Sequence, residues 1–244
     1  IYSPSILRFK RSDFMNMNKD NKQELCKAIQ NLYINTRKVN SIAGNSSLDK
    51  SRFANQLETV KAELKETNKG LKEGNLGEVV DGCGDLLVTL SELIMIIDGN
   101  TDLLHNPPQY LNSQGASVEE LVEGINDAIN SSNFIDALGL AEDLAFQLNA
   151  DMVHNLYSIG KSNLSKFILA KDLDEGSETE FSICEAIENK GRYTEVYSET
   201  NTFEGEDWVV FKSSYDVEND ESYPQGKFLK CPLTFKEPEL IIYE

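Results

Sequence analysis

The longest nearly apolar stretch of the chain, Leu86–Ile97, constrains the fold more than any other feature. Thr89, Ser91 and Glu92 interrupt it, so it falls short of the ~18 apolar residues that a membrane span requires and reads as a buried helix. The helix starts near residue 76, with Leu76, Val79, Val80, Cys83, Leu86, Leu87 and Leu90 at helical spacing. A second helix precedes it over about 50–72, with Phe53, Leu57, Val60, Leu64 and Leu71 on one stripe. Ser47 or Asp49 is positioned to cap that helix, and Gly74-Asn75 to end it. An earlier helix is expected over about 21–37 (Leu25, Ile29, Leu32, Tyr33), a loop over 98–117 around Pro107-Pro108, and two further helices over about 118–130 and 134–170.

After Glu175 the pattern changes from helical to alternating. RYTEVYS, DWVVFKSSY and GKFLKCPL alternate apolar and polar residues, and EGED, ENDES and PQGK separate them as turns. The expected fold is therefore mainly α, an antiparallel helical bundle with a small C-terminal β-rich appendage. An N-terminal extension would cover 1–20, the helical domain 21–175, and the appendage 176–244. Within the helical domain, 62–87 is echoed weakly by 119–145. Glu63 and Glu66 match Glu120 and Glu123, and Asp85 matches Glu142 or Asp143.

The chain carries 41 Asp and Glu against 23 Lys and Arg, a formal charge of −18. Such a surface repels a nucleic-acid backbone and an anionic membrane, so neither is an expected partner. It still admits a small phosphate ligand, because divalent cations bridge carboxylates to phosphates. Cys26, Cys83, Cys184 and Cys231 are scattered without metal-ligand spacing, the usage of reduced thiols in a cytoplasmic protein. Ile1–Phe14 lacks a signal-peptide core, and a start on Ile1 with Met15 and Met17 further in is expected to reflect either processing or a stretch that is not native.

The chemistry concentrates in acidic residues of the two central helices. Glu63 and Glu66 are neighbours on one helix face; Glu78, Asp81 and Asp85 share a face of the next. A Gly-Asn turn makes those helices an antiparallel hairpin, so the two faces can converge. Gathered carboxylates repel unless a cation is bound among them. Hard oxygen ligands with no His or Cys beside them point to Mg²⁺ or Mn²⁺. Any single Glu in so acidic a chain is by default a solvated residue. Asp81 and Asp85 stand apart from that default, because VVDGCGDLLVTL is apolar and Asp and Gly are both poor helix-interior residues. The small Gly77, Gly82 and Gly84 would admit a second helix or a ligand at close range.

Glu63-x-x-Glu66, the Gly-Asn turn and Asp81-x-x-x-Asp85-Leu-Leu together resemble the MazG-type all-α NTP pyrophosphohydrolase superfamily, whose pattern is EExxE followed by ExxD. Lys161-Ser-Asn163-Leu-Ser-Lys166 is similar to the SNxSK segment of its phosphoribosyl-ATP pyrophosphohydrolase-like branch. Gly226-Lys-Phe-Leu-Lys230-Cys-Pro232 is similar to the GKxxKxP ending of phage-type members. The resemblance implies cleavage of a nucleotide between its α and β phosphates, giving a monophosphate and pyrophosphate. It implies Glu63, Glu66 and Asp85 as catalytic Mg²⁺ ligands. Asn163 would contact the nucleotide, Lys161 and Lys166 would neutralise phosphate charge, and Lys230 would join the substrate contacts. A homo-oligomer, dimer or tetramer, is expected.

Two family positions differ. Ala62 stands where the first Glu of EExxE belongs, and Gly82 where the Glu of ExxD belongs. Asp81 and Glu78 are the nearest substitutes for the missing metal ligand. A family of this compact kind also lacks a segment as long as 98–150, which can supply a second hairpin within one chain. Competing expectations are a non-catalytic helical interaction module and a phosphoribosyl-ATP pyrophosphohydrolase. His105 and His154 stand alone, no phosphate loop or nucleophile elbow occurs, and Lys212, Lys227 and Trp208 read first as parts of the β appendage.

Overall fold

A computed structural model describes residues 19–106, 115–148, 150–174 and 179–243. It divides into two compact units, the first formed by Ile1–Thr36, Leu48–Ile159 and Glu239–Glu244, the second by Arg37–Ser47 and Gly160–Pro238. Among the described residues there are eight helices: α1 (Lys19–Ile42), α2 (Phe53–Glu73), α3 (Leu76–Asp98), α4 (Val118–Asn130), α5 (Phe134–Gln147), α6 (Met152–Leu164), α7 (Ala170–Asp174) and α8 (Glu180–Glu188). A four-stranded antiparallel sheet lies in the C-terminal part: β1 (Ile168–Leu169), β2 (Tyr193–Phe203), β3 (Glu206–Asp216) and β4 (Glu221–Phe228). The mainly helical expectation with a small β-rich part thus holds. No helix of the described residues is long and apolar enough to cross a membrane.

Helix α3 forms the centre of the first unit's core. Fifteen of its residues are buried, among them every position from Thr89 through Ile96. The one charged residue in that run, Glu92, is 1% exposed and accepts a hydrogen bond from Arg52 Nη1 at 3.0 Å. An unpaired carboxylate there would carry a large desolvation penalty. Helices α2 and α3 are joined as the Gly-Asn turn requires. Gly74 adopts φ +67, where an L side chain is strained, and the Asn75 side chain then caps α3 by accepting from the Glu78 N–H. A second hairpin follows, α4 and α5. Ser117 and Glu120 form a capping box at its start, and the Phe134 ring meets Phe53 of α2 edge-on at 5.9 Å.

The two hairpins match the helix–turn–helix echo seen in the sequence, but their carboxylates do different work. Glu120 caps its own helix, while Glu142 and Asp143 are buried. The helix expected over 134–170 is two helices, because Leu148 is extended and Asp151 accepts from the His154 N–H at the start of α6. Pro107 and Pro108 lie outside the described residues, but Asp102–Leu104 within the expected loop forms a 3-10 turn.

In the second unit the sheet carries apolar residues on both faces. Val209 and Phe211 face one cluster with Ile183 and Ile187 of α8; Val210 faces another with Ile42, Ala43 and Phe167. Such two-sided burial explains the continuous WVVF run in β3. Helix α8 is an addition to the strands expected after residue 175. Contacts divide the chain near 159 rather than 175 because β1 pairs with β3 (Ile168 with Val209, Leu169 with Trp208). Gly226 sits at φ +77, and a Cβ there would crowd the Tyr197 hydroxyl and lie 2.9 Å from Lys212 Cδ. The glycine of the GKxxKxP motif is thus needed by the sheet itself.

Helices α2 and α3 approach each other closely. A Cβ on Gly82 would overlap Thr67 Oγ1 and lie 3.1 Å from Thr67 Cβ and 3.2 Å from its Cα; one on Gly70 would lie 2.6 Å from Glu78 Cβ. Gly82→Ala is expected to lower Tm. Overpacking strain of about 1–3 kcal/mol opposes a helix-propensity gain of ~1 kcal/mol, and a clash with backbone as well as side chain favours the upper end of the strain. Thermal unfolding of Gly82→Ala alone and with Thr67→Ala checks this; the second substitution should recover part of the loss.

Candidate functional site

The hairpin register follows from four contacts: Gly70 against Glu78, Thr67 against Gly82, Gln56 Nε2 donating to the Thr89 carbonyl at 2.9 Å, and Arg52 with Glu92. At about 100° per residue, this register puts Glu63 on the α2 stripe that faces α3, and Asp85 on the α3 stripe that faces α2, one turn from Gly82. Both residues are half-buried. Asp81 is also half-buried, on the adjoining side of α3. On that side Gly84 abuts α6, since a Cβ there would lie 3.4 Å from Ile159 Cγ2. Glu63 and Asp85 therefore lie on the facing stripes of α2 and α3, and Asp81 lies on the adjoining side of α3, between Gly77 and Gly84. Glu66 and Glu78 are exposed. They stand at the outer margin of the same hairpin.

Gly82 and Gly84 of α3 are explained by helices rather than by a ligand. Gly82 is where Thr67 of α2 touches α3, and Gly84 is where Ile159 of α6 touches it. A glutamate at position 82 would point into Thr67, so that position is closed by packing in this chain. Asp81 and Asp85, on either side of that contact, are the acidic residues that remain half-buried there. Hard oxygen donors with no His or Cys among them suit Mg²⁺. Among the described residues, however, no group of three or more His, Cys, Asp or Glu side chains is assembled to hold a metal ion.

The remaining expected residues belong to the second unit. Lys161 is exposed and Asn163 half-buried in the last turn of α6, and Lys166 is half-buried just beyond it. The SNLSK segment is tied to the chain's later part: the Cys231 N–H donates to the Lys166 carbonyl at 3.2 Å, and the Lys236 N–H to Ser165 Oγ at 3.0 Å. Lys230 pairs with Glu237 at 3.1 Å and lies 4.2 Å from the Phe235 ring centroid. Lys212, which is 6% exposed, pairs with Glu199, and Lys227 bonds Tyr223 Oη and Asp216. Burial pushes the Asp216 carboxyl up. Hydrogen bonds from Arg192 and Asn219 outweigh that and hold it below the usual carboxylate range. The lysines of the sheet thus serve carboxylates of their own unit.

Two features of the first unit left no clear sequence signal. Tyr33 of α1 donates through its hydroxyl to Glu142 Oε1 at 2.7 Å, and Glu142 is 3% exposed. Burial raises the Glu142 carboxyl to about 7; the charge of neighbouring Asp143 adds to the rise, and the Tyr33 hydrogen bond opposes it. Both residues fit ordinary helix stripes, and only the adjacent carboxylates Glu142 and Asp143 within the otherwise apolar LGLAEDLAF hint at burial. The second is Asn155 of α6, fully buried against the C-terminal segment. Burial also raises the Cys83 thiol, whose Sγ donates to the Ala141 carbonyl, and no disulfide joins the cysteines among the described residues.

Comparison of the chain with protein families, with curated proteins and with solved structures finds no match.

Because the folded Glu142 carboxyl titrates above its ordinary value of 4.5, protonation favours the folded state. That contribution is complete below about pH 4.5 and is lost as pH rises through about 7. Urea unfolding from pH 5 to 8 should show stability falling, by at most about 1.4 kcal/mol per pH unit from this group. Glu142→Gln should flatten that slope relative to the wild type.

Proposed function

We propose that this chain is a Mg²⁺-dependent nucleotide pyrophosphohydrolase that cleaves between the α and β phosphates of a (d)NTP or related nucleotide. The observation that carries the reading is that Glu63 and Asp85 lie half-buried on the facing stripes of the α2–α3 hairpin, with Asp81 half-buried on the adjoining side of α3. In this reading the chain belongs with the MazG-type all-α bundle that its motifs resemble. Glu63, Asp81 and Asp85 would hold Mg²⁺ (Mn²⁺ as a substitute), with Glu66 and Glu78 at the rim. Bound there, the cation would supply charge neutralisation for the phosphates and a more acidic water.

The chain's own part is to present acceptor oxygens from two rigid helices, which keeps the donors in place through packing rather than through loops. Half-burial strengthens their interaction with a cation, because water screens it less. Asn163, Lys161 and Lys166 are the proposed nucleotide contacts. Lys230 is a weaker candidate, since Glu237 already neutralises it. The same reading gives a cytoplasmic protein acting as a dimer or tetramer.

A second reading, a non-catalytic helical interaction module, draws support from the absence of an assembled three-donor cluster among the described residues. The two differ in their response to metal. A bound cation raises stability by mass action, by about 2.7 kcal/mol at a hundredfold excess over Kd.

The test is a panel of ribo- and deoxyribonucleoside triphosphates and phosphoribosyl-ATP, incubated with the full chain and Mg²⁺ and assayed for pyrophosphate. At least one nucleotide should be cleaved. Loss of a cation ligand removes several kcal/mol of transition-state stabilisation, so Asp85→Asn and Glu63→Gln should each fall by about a hundredfold or more. Glu66→Gln and Glu78→Gln should have smaller effects. Full activity in both Asp85→Asn and Glu63→Gln would refute the site.

A further inference from the structure

We propose that the C-terminal segment Glu239–Tyr243 is a latch that sets the position of α3, with Asn155 of α6 as its keeper; in its functional consequence this rests on the reading above. The segment runs as an isolated extended strand against the start of α6. Asn155 grips it at one point through both backbone groups: its Nδ2 donates to the Ile241 carbonyl at 3.0 Å, and its Oδ1 accepts from the Ile241 N–H at 2.7 Å. The Asp151 N–H donates to the same carbonyl at 3.1 Å, and Ala150 bridges to Ile242. One turn further along α6, Ser158 Oγ accepts from the Glu239 N–H at 2.7 Å, and His154 Nε2 lies 3.1 Å from the Glu239 carbonyl. A side-chain amide that pairs with both groups of one residue imitates a rung of a β-ladder, so the contact recognises an extended backbone rather than a side chain.

The side chains of the segment alternate as a half-buried strand should. Leu240 and Ile242 pack on the first unit's core, while Ile241 is 41% and Tyr243 50% exposed. Ile242 is what links the segment to α3. Its Cδ1 lies 3.5 Å from where a Cβ of Gly77 would stand, in the first turn of that helix. Gly77, Asp81 and Gly84 follow one another at i, i+4 and i+7, so they form one stripe. The latch packs at one end of it and Ile159 of α6 at the other. Asp81 lies between these two supports. On the Gly77 side, the first turn of α3 is thus braced by a short extended segment, while α2 and α6 pack elsewhere on that helix. A short extended segment with few buried apolar contacts opens at lower free energy than a helical core. Release of the latch would loosen the α3 turns that carry Asp81, while leaving the α3–α5 core and the α4–α5 hairpin in place.

The latch is a positioning element, and its test needs a readout that is local. Hydrogen exchange is measured by mass spectrometry on the full chain, on a variant ending at Pro238, and on full-length Asn155→Asp, which keeps an acceptor for the Ile241 N–H but loses the donor to its carbonyl. Exchange over residues 76–86 should accelerate about tenfold or more in both variants, while protection over 134–147 stays at the wild-type level. A synthetic peptide of residues 237–244, added in trans to the shortened chain, should restore protection over 76–86. Pyrophosphate release should follow the same order, with kcat falling more than KM and the peptide recovering it. Wild-type exchange over 76–86 in both variants would overturn the latch. So would loss of protection over 134–147 together with 76–86 in Asn155→Asp, which would make the segment an ordinary part of the core. If the shortened chain does not fold, Asn155→Asp decides alone. If no nucleotide is cleaved by the wild type, the hydrolase reading fails, but the exchange measurements still decide the latch.

Discussion

The crossing of α2 over α3 is the contact on which the first unit depends. At Gly70–Glu78 and Thr67–Gly82 the helices approach until no Cβ fits on either glycine. That distance lets the Arg52–Glu92 ion pair close at one end of the hairpin and Gly74-Asn75 close the other. It also determines what happens to the acidic residues. Helices held so near keep Glu63 and Asp85 on facing stripes and half-buried. A wider crossing would leave them as two solvated faces. The glycines weaken α3 as an isolated helix, and packing has to offset that. The burial of fifteen α3 residues is of the right kind to do so.

Buried charge is handled differently in the two units. In the first, Glu92 is ionically paired with Arg52, while Glu142 accepts from the Tyr33 hydroxyl and burial raises its carboxyl to about 7. One carboxyl is charged and matched; the other gives up part of its charge. In the second unit, Asp216 is fully buried yet holds its charge, because Arg192, Lys227 and Asn219 all donate to it. Its role is to anchor the ends of β3 and β4 and the turn between them. The cationic side chains of that sheet are therefore largely committed to local partners.

A segment that follows the second unit in the chain completes the first unit. Residues 239–243 return to it after the whole second unit has been traversed, and they dock on α6 through backbone pairing with Asn155. A fully buried asparagine needs all its polar atoms satisfied, and an extended backbone satisfies the carbonyl and amide at once. The same segment reaches Gly77, so the glycine-bearing face of α3 is covered by α2, α6 and the tail.

Hydrophobic periodicity was sufficient to locate α2, α3 and α4 to within a few residues, because caps and glycine turns act locally. It placed Glu63, Asp81 and Asp85 on a hairpin correctly for the same reason. It joined α5 to α6, since the extended Leu148 that separates them sits in a sequence with no Gly or Pro to mark a break. It passed over α8, whose short capped run EFSICEAIE resembles the strands around it in composition. The meaning of Gly82 was open in the sequence, a lost ligand or a close contact, and only the position of Thr67 resolved it. Likewise only the apolar run around Glu142 sets it apart from a solvated glutamate, and nothing local distinguishes Asn155 from a surface asparagine. Secondary structure and the acidic stripes follow from spacing along one chain segment. Burial, pairing and crossing distance depend on what distant segments bring to the same place, and those were decided by the tertiary structure alone.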